Sequence, residues 1–157
     1  MGEFPAVLVT GMSGVGKSTA LEGLALAGFA TVDTDYGPWI HVVDGGPQWR
    51  EALIDELFGR PRHARLFVAG TVANQGRFYD RFDAVVLLSA PIDTILQRLE
   101  LRTNNPFGKT PDERRKIATD TAEIEPLLRQ AATHEIDTSG AAAEVVSQLI
   151  SIADELA

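Results

Sequence analysis

The feature that most constrains the fold of this chain is the segment 11–18 (GMSGVGKS), which directly follows the apolar run 6–9. It matches G-x-x-x-x-G-K-S/T, the pattern of a phosphate-binding loop between a strand and a helix. Its glycines let backbone N–H groups approach phosphate oxygens, Lys17 supplies a charge for the β- and γ-phosphates, and Ser18 offers a hydroxyl to Mg²⁺. The pattern therefore predicts a strand, a loop and a helix in succession, with a bound nucleoside triphosphate.

This loop pattern is specific, since a chance match is expected in under about one in a hundred chains of this size. The residues after it, 19–27 (TALEGLALA), are good helix formers, as the pattern requires. The predicted nucleotide contacts in the loop and the first helical turn are Gly11, Ser13, Gly14, Val15, Gly16, Lys17, Ser18 and Thr19.

Apolar runs alternate with helical patterns along the whole chain. Strands are predicted at 6–10, 30–33, 65–69, 84–89 and 133–137, and helices at 17–27, 48–58, 91–102, 112–130 and 140–156. Continuously apolar strands suit a parallel sheet covered on both faces, so we predict a three-layer α/β/α sandwich that forms one domain over residues 1–157.

Three segments carry local signals of their own. Thr110, Pro111 and Glu113 match a capping box at the start of the fourth helix, and Pro126 should kink or divide that helix. Residues 36–47, which are rich in glycine and proline, are predicted to form an irregular wall beside the ligand.

Composition excludes several classes of protein. The formal net charge of −8 argues against a nucleic-acid binder, and the absence of cysteine excludes disulfides and cysteine-based metal sites. No apolar run approaches the roughly 20 residues of a membrane span, and no basic segment precedes an apolar one at the N-terminus. We therefore expect a cytoplasmic enzyme that acts on small molecules, as a monomer or a homodimer.

Two carboxylates, Asp33 and Asp35, follow the second predicted strand. If this strand lies next to the first in a parallel sheet, both carboxylates come near the phosphate loop. Phosphoryl transfer needs a metal held in place and an attacking oxygen oriented in line, and two acids at alternate positions can divide these tasks. A solvated turn stays open as the alternative, because Asp favours turns.

Together these motifs resemble the P-loop small-molecule kinases, above all the shikimate kinase and gluconate kinase branch, with the nucleoside monophosphate kinases as close relatives. The resemblance covers most of the chain and rests on GMSGVGKS, the strand that ends in DTD, RLFVAG, VVLLSAPIDTILQRLELR, the lid-like TNNPFGKT and HEIDTS. It implies a five-stranded parallel sheet in the order 2-3-1-4-5, a lid at about 103–112, and transfer of the γ-phosphoryl group of ATP to a hydroxyl with Mg²⁺.

The resemblance also implies roles for single residues. Ser18 and Asp33 would hold Mg²⁺, and Asp35 would bind and orient the acceptor hydroxyl. The implied catalytic residues are Lys17, Asp33, Asp35 and Arg102. The nucleotide site would be completed by Arg98, Arg102, Asp137 and Thr138, and the candidate lid cations are Lys109, Arg114 and Arg115.

The acceptor site is predicted beside an insert at about 36–60, with contacts from Asp35, Arg50, Gly70, Thr71 and Arg77. The planar fork of Arg50 or Arg77 would match a carboxylate or a phosphate of the acceptor. The chain departs from the shikimate kinases in Ala69-Gly70-Thr71, where they carry three glycines in a row. Its Trp49-Arg50-Glu51 also follows Asp35 closely, which implies a shortened acceptor domain.

Two alternative functions stay open. A nucleoside monophosphate kinase must neutralise about two negative charges on its acceptor, and residues 36–60 contain only Arg50 and Arg60 for this purpose. The other alternative is a regulatory ATP-binding protein without a small-molecule acceptor. A GTP-specific switch is not indicated, since the chain has no N-K-x-D segment.

Overall fold

Strands and helices alternate along the chain in the computed structural model, which describes residues 4–101 and 109–156. The strands are β1 (Ala6–Thr10), β2 (Ala30–Asp33), β3 (Ile40–Val43), β4 (Gly46–Trp49), β5 (Leu66–Ala69), β6 (Ala84–Ser89) and β7 (His134–Asp137). The helices are α1 (Lys17–Leu26), α2 (Glu51–Gly59), α3 (Ile92–Leu101), α4 (Pro111–Ala131) and α5 (Ala142–Leu156), with a 3₁₀ helix at Gln75–Arg81. Within the described ranges, none of these helices combines the length and the apolar character needed to cross a membrane.

The main sheet has five parallel strands in the order β2-β5-β1-β6-β7. This order confirms the predicted 2-3-1-4-5, because β3 and β4 lie outside the sheet and only shift the numbering. Alternate residues of the central strand enter two separate cores: Val7 and Val9 pack on the α1, α3 and α5 side, whereas Leu8 packs on the α2 side. Both sheet faces are thus covered, and the three-layer sandwich is confirmed.

Helix α4 begins and continues for reasons visible in the sequence. The Thr110 hydroxyl accepts the Glu113 N–H at 3.1 Å and the Glu113 carboxylate accepts the Thr110 N–H at 3.3 Å, so the predicted capping box is present. The prediction that Pro126 could divide the helix is wrong, since α4 runs through it. Proline removes a single N–H, and the buried residues Ile117 and Leu128 hold the helix on both sides of Pro126.

Residues 40–49 form a β-hairpin, not the irregular wall that we expected. Ile40 pairs with Trp49 across two antiparallel strands, and Asp44 and Gly45 make the tight turn with φ of +51° and +80°. Positive φ at both central residues is typical of a type I′ hairpin turn, for which Asp-Gly between apolar runs is the usual signal. The predicted helix at 48–58 consequently starts late, at Glu51, because Trp49 still belongs to β4.

Candidate active site

The phosphate loop leaves the carboxyl end of β1 and leads directly into α1. Gly14 and Gly16 adopt left-handed backbone conformations with φ of +87° and +97°. A Cβ on Gly14 would lie 2.9 Å from Ile95 Cγ2, so the loop also packs too tightly there for a side chain. Gly16 is the N-cap of α1, and the positive end of that helix therefore adjoins the loop, as an anion site requires.

The Lys17 ammonium lies inside this loop. Its Nζ donates to the carbonyl oxygen of Gly11 at 2.6 Å and to that of Met12 at 3.3 Å. Burial lowers the pKa of Lys17, while the negative charges of Asp35 and Asp33 oppose that shift. The charge of Lys17 thus interacts both with the loop carbonyls and with the two carboxylates.

Ser18 and Asp33 are brought together from α1 and β2. The Ser18 hydroxyl donates to Asp33 Oδ2 at 2.6 Å, and Asp33 Oδ1 accepts the Asp35 N–H at 3.2 Å. A hydroxyl and a carboxylate are the oxygen ligands that Mg²⁺ prefers. In the described part of the chain no three or more His, Cys, Asp or Glu side chains group around a metal position. The residues present therefore fit a Mg²⁺ that takes most of its ligands from phosphates and water.

Asp35 is exposed at the mouth of the loop. Partial desolvation raises the pKa of Asp35; the positive charge of Lys17 opposes the rise and the negative charge of Asp33 adds to it. A carboxylate with a raised pKa is a stronger proton acceptor, which is the property required of a group that receives a hydroxyl proton.

Thr34, which lies between the two acids, anchors their turn to the protein interior. Its buried hydroxyl donates to Ala69 O at 2.7 Å and accepts the Trp49 indole N–H at 2.9 Å. Gly70 packs against Thr34 and Trp49. A Cβ at this position would collide with the Thr34 hydroxyl and lie 3.1 Å from Trp49 Cζ2. Sequence reasoning did not predict the contact between Thr34 and Trp49; a threonine between two acids at a strand end was the available signal.

A pocket of about 190 Å³ adjoins the loop on the side of α3 and α5. Arg98 Nη1 donates to Thr138 Oγ1 at 3.1 Å and to Gly14 O and Val15 O at 3.4 Å, and its Nη2 donates to the Thr138 carbonyl. The Thr138 hydroxyl donates to Val15 O at 2.7 Å. The residues that line the pocket include Val15, Gly16, Thr19, Arg98, Thr138 and Val145. Apolar walls with a few fixed polar groups are typical of a site for a nucleoside.

Asp137, a predicted nucleotide contact, is exposed at the end of β7. Its carboxylate accepts the Ser139 N–H at 2.7 Å and the Ser139 hydroxyl at 2.5 Å. These hydrogen bonds lower the pKa of Asp137. The carboxylate therefore shapes the turn that carries Thr138.

The predicted acceptor residues fall into two groups. Asp35, Arg50 and Arg77 are exposed, and Arg77 forms a surface ion pair with the Glu51 carboxylate at 3.2 Å. Thr71 and Gly70 are less accessible, and the Thr71 hydroxyl donates to the Gly11 carbonyl. Gly70, as described, is packed under Trp49. The contacts of Arg77, Thr71 and Gly70 are thus within the protein, and their acceptor roles stay predictions.

The predicted lid lies mostly outside the described residues, as does Arg102. Lys109 is exposed. Arg114 donates to Leu96 O at 3.3 Å, and Arg115 pairs with Asp112. These contacts hold the two arginines to α3 and to the first turn of α4.

Comparison with known proteins links the whole arrangement to one group. A family model, AAA_18, described as an AAA domain, matches residues 7–119. The shikimate kinase of Halorhodospira halophila is 32% identical over 160 residues, which cover 92% of this chain and 90% of that protein. The structure of the shikimate kinase from Acinetobacter baumannii in complex with shikimate has a TM-score of 0.68 at 25% identity, covering 95% of this chain and 92% of that one. A gluconokinase from Sinorhizobium meliloti shares the fold, with a TM-score of 0.63 at 20% identity over 99% of this chain and 95% of that one.

Proposed function

This chain belongs to the shikimate kinase-like family of P-loop small-molecule kinases, and we propose that it phosphorylates a small hydroxylated metabolite through the residues described above. As a member of that family it is an ATP-dependent phosphotransferase that acts on a hydroxyl group. The observation that carries the proposed site is the 2.6 Å contact between the Ser18 hydroxyl and the Asp33 carboxylate at the head of the phosphate loop. Such an enzyme would work in the cytoplasm, where ATP is available, as a monomer or a homodimer.

Ser18 and Asp33 are the residues that would hold Mg²⁺. When bound, the ion would neutralise charge on the β- and γ-phosphates and help to align them. The Ser18 hydroxyl and the Asp33 carboxylate are adjacent, so both oxygens can be presented to one ion.

Lys17 and the residues around the pocket would bind the nucleotide. The Lys17 ammonium and the N-terminus of α1 supply positive charge to the phosphates. The guanidinium of Arg98 and the Asp137–Thr138 turn border the pocket for the nucleoside. Arg102, outside the described residues, is kept as a proposed catalytic and nucleotide-binding residue on the resemblance alone.

Asp35 would orient the acceptor hydroxyl and accept its proton, for which its raised pKa is suited. The insert at 36–60 would form the acceptor wall, with the exposed Arg50 facing an anionic group. A hydroxy acid of the shikimate class is therefore the first acceptor to test. A nucleoside monophosphate has less support, because residues 36–60 contain only Arg50 and Arg60 to neutralise its roughly two negative charges.

The test is ADP release from ATP and Mg²⁺, first without an acceptor and then with pooled candidates. The pools are shikimate and related hydroxy acids, gluconate and other sugar acids, nucleosides, nucleoside monophosphates, and amino alcohols. We expect one pool to raise turnover by about a hundredfold or more. Both Lys17→Ala and Asp35→Asn should abolish this rise, but only Lys17→Ala should weaken binding of a non-hydrolysable ATP analogue.

The control is Asp80→Asn, which neutralises an exposed acid of the 3₁₀ helix outside the site. It should match the wild type in both measurements. If ATP binds and no pool raises turnover, the kinase proposal is contradicted and the regulatory ATP-binding alternative takes its place.

A further inference from the structure

The Thr71 side chain reaches the first glycine of the phosphate loop. Its hydroxyl accepts the Gly11 N–H at 3.2 Å and donates to the Gly11 carbonyl oxygen at 2.5 Å. The two residues meet because each lies two positions beyond the paired residues Val9 and Ala69 of β1 and β5. One hydroxyl thus holds both backbone polar groups of Gly11.

The direction of both contacts is fixed by Gly11 itself, because its N–H can only donate and its carbonyl can only accept. The hydrogen bonds of the neighbouring polar side chains are compatible with this direction. The Gln75 Oε1 accepts the Val72 N–H at 2.9 Å, which identifies Gln75 Nε2 as the donor to Thr10 Oγ1 at 3.1 Å. Thr10 therefore has its one hydroxyl proton available for Thr71 Oγ1, 3.2 Å away. Thr71 in turn gives its own proton to Gly11 O. Thr10 and Gln75 are both buried, so this network of hydrogen bonds lies in the protein interior.

The carbonyl that Thr71 contacts is also the one that holds the loop lysine. Lys17 Nζ donates to Gly11 O at 2.6 Å. An ammonium has three donors, and two of them contact the Gly11 and Met12 carbonyls. Binding one oxygen of the β-phosphate and one of the γ-phosphate therefore takes at least one donor away from these carbonyls. Gly11 is buried, and a buried carbonyl without a donor is unfavourable. The Thr71 hydroxyl keeps that oxygen paired when the lysine turns to the phosphates.

We propose that Thr71 is a positioning residue for ATP and not an acceptor contact: its hydroxyl holds Gly11 in place and keeps its carbonyl paired while Lys17 serves the phosphates. The inference rests on the ATP binding that is part of the proposed function. It is independent of the identity of the acceptor.

The test compares Thr71→Val, which keeps the shape and removes the hydroxyl, with Thr71→Ser, which keeps the hydroxyl. The affinity for a non-hydrolysable ATP analogue with Mg²⁺ is measured by calorimetry, and stability by urea unfolding. We expect Thr71→Val to bind about tenfold more weakly, equivalent to about 1.4 kcal/mol, and Thr71→Ser to stay within about twofold of the wild type.

A matched control is Thr10→Val, which removes a hydroxyl from the same buried network and leaves both contacts between Thr71 and Gly11 intact. It should lose stability much as Thr71→Val does, while its affinity for the analogue stays within about twofold of the wild type. Equal loss of affinity in Thr10→Val and Thr71→Val, no loss in Thr71→Val, or no rescue in Thr71→Ser would each overturn the proposal. A wild type that binds no nucleotide would overturn it together with the kinase function, whereas binding without transfer to any acceptor would contradict the kinase function alone.

Discussion

At the residue scale, the ionised carboxylate of Asp35 lies in an environment that does not favour its charge. Its carboxylate is partly desolvated beside a second carboxylate, and the attraction of Lys17 does not fully compensate, so the net effect is a raised pKa. A group whose pKa is raised on folding stabilises the fold only while it is protonated. At neutral pH the ionised Asp35 therefore destabilises the protein relative to a neutral side chain of the same shape.

We predict that Asp35→Asn raises the free energy of unfolding at about pH 7, by less than about 1 kcal/mol because partial exposure screens the charges. The difference should shrink as the pH falls through the raised folded pKa towards the ordinary value of 3.8. Urea unfolding at a series of pH values checks this, with Asp80→Asn as the control. A variant that is less stable than the wild type at neutral pH would show that the attraction to Lys17 outweighs desolvation.

At the element scale, the hairpin β3–β4 is connected to the catalytic turn by one indole. The backbone N–H of Trp49 donates to Asn74 Oδ1 at 2.8 Å, and its indole N–H donates to the Thr34 hydroxyl at 2.9 Å. The hairpin, the 3₁₀ helix and the end of β2 are therefore held in one arrangement. A shift of the hairpin would move the turn that carries Asp35.

Trp49→Phe retains an aromatic ring and removes the indole donor. We expect a cost of about 2–3 kcal/mol in the free energy of unfolding, because the smaller ring leaves a cavity in the core in addition to the lost hydrogen bond. Turnover of the acceptor should fall by about tenfold while affinity for an ATP analogue is unchanged, because the loop itself is not touched. Steady-state kinetics and calorimetry check this, and Trp39→Phe is the control at the other tryptophan. Equal losses of turnover and nucleotide affinity would contradict a specific effect on the acceptor side.

At the scale of the whole molecule, Glu135 joins the sheet edge to the helical layer. Its carboxylate accepts from Ser89 Oγ at 2.8 Å and from Arg129 Nε at 2.8 Å, and so connects β6, β7 and α4. The hydrogen bond from Arg129 is the main reason that the pKa of Glu135 is lowered; burial opposes this shift and Ser89 adds to it. A carboxylate whose pKa is lowered on folding stabilises the fold when the pH is above its ordinary pKa. This contribution is lost as the pH falls through the pKa of the folded state.

Glu135→Gln should therefore lower the free energy of unfolding by about 0.5 kcal/mol at about pH 7, a modest value because both partners are partly exposed. The cost should vanish in acid, below the folded pKa, where the wild-type side chain is also neutral. Thermal or urea unfolding across the acid range checks this, with Glu123→Gln, at an exposed position of α4, as the control. A cost that does not change with pH would assign the role of Glu135 to packing.

Much of the fold was predictable because its signals are local. The continuously apolar strands, the helix formers after the loop and the capping box at Thr110 all depend on neighbours within a few residues. The hairpin at 40–49 was missed although Asp44-Gly45 signalled it, because the surrounding glycines and prolines were interpreted as irregular structure. The expectation that the second strand lies next to the first was wrong, because β5 lies between β2 and β1. Ser18 and Asp33 still meet, since Ser18 in the first turn of α1 reaches the end of β2.

The sequence by itself determined the phosphate loop, the parallel sandwich and the two acids at the end of β2, since contiguous motifs and short-range periodicity specify them. Only the tertiary structure decided which polar side chains serve the protein itself. Thr71 meets Gly11 across 60 positions of the chain, and Arg77 meets Glu51 across 26. Such contacts depend on how strands and loops are placed in space, and no local pattern encodes them.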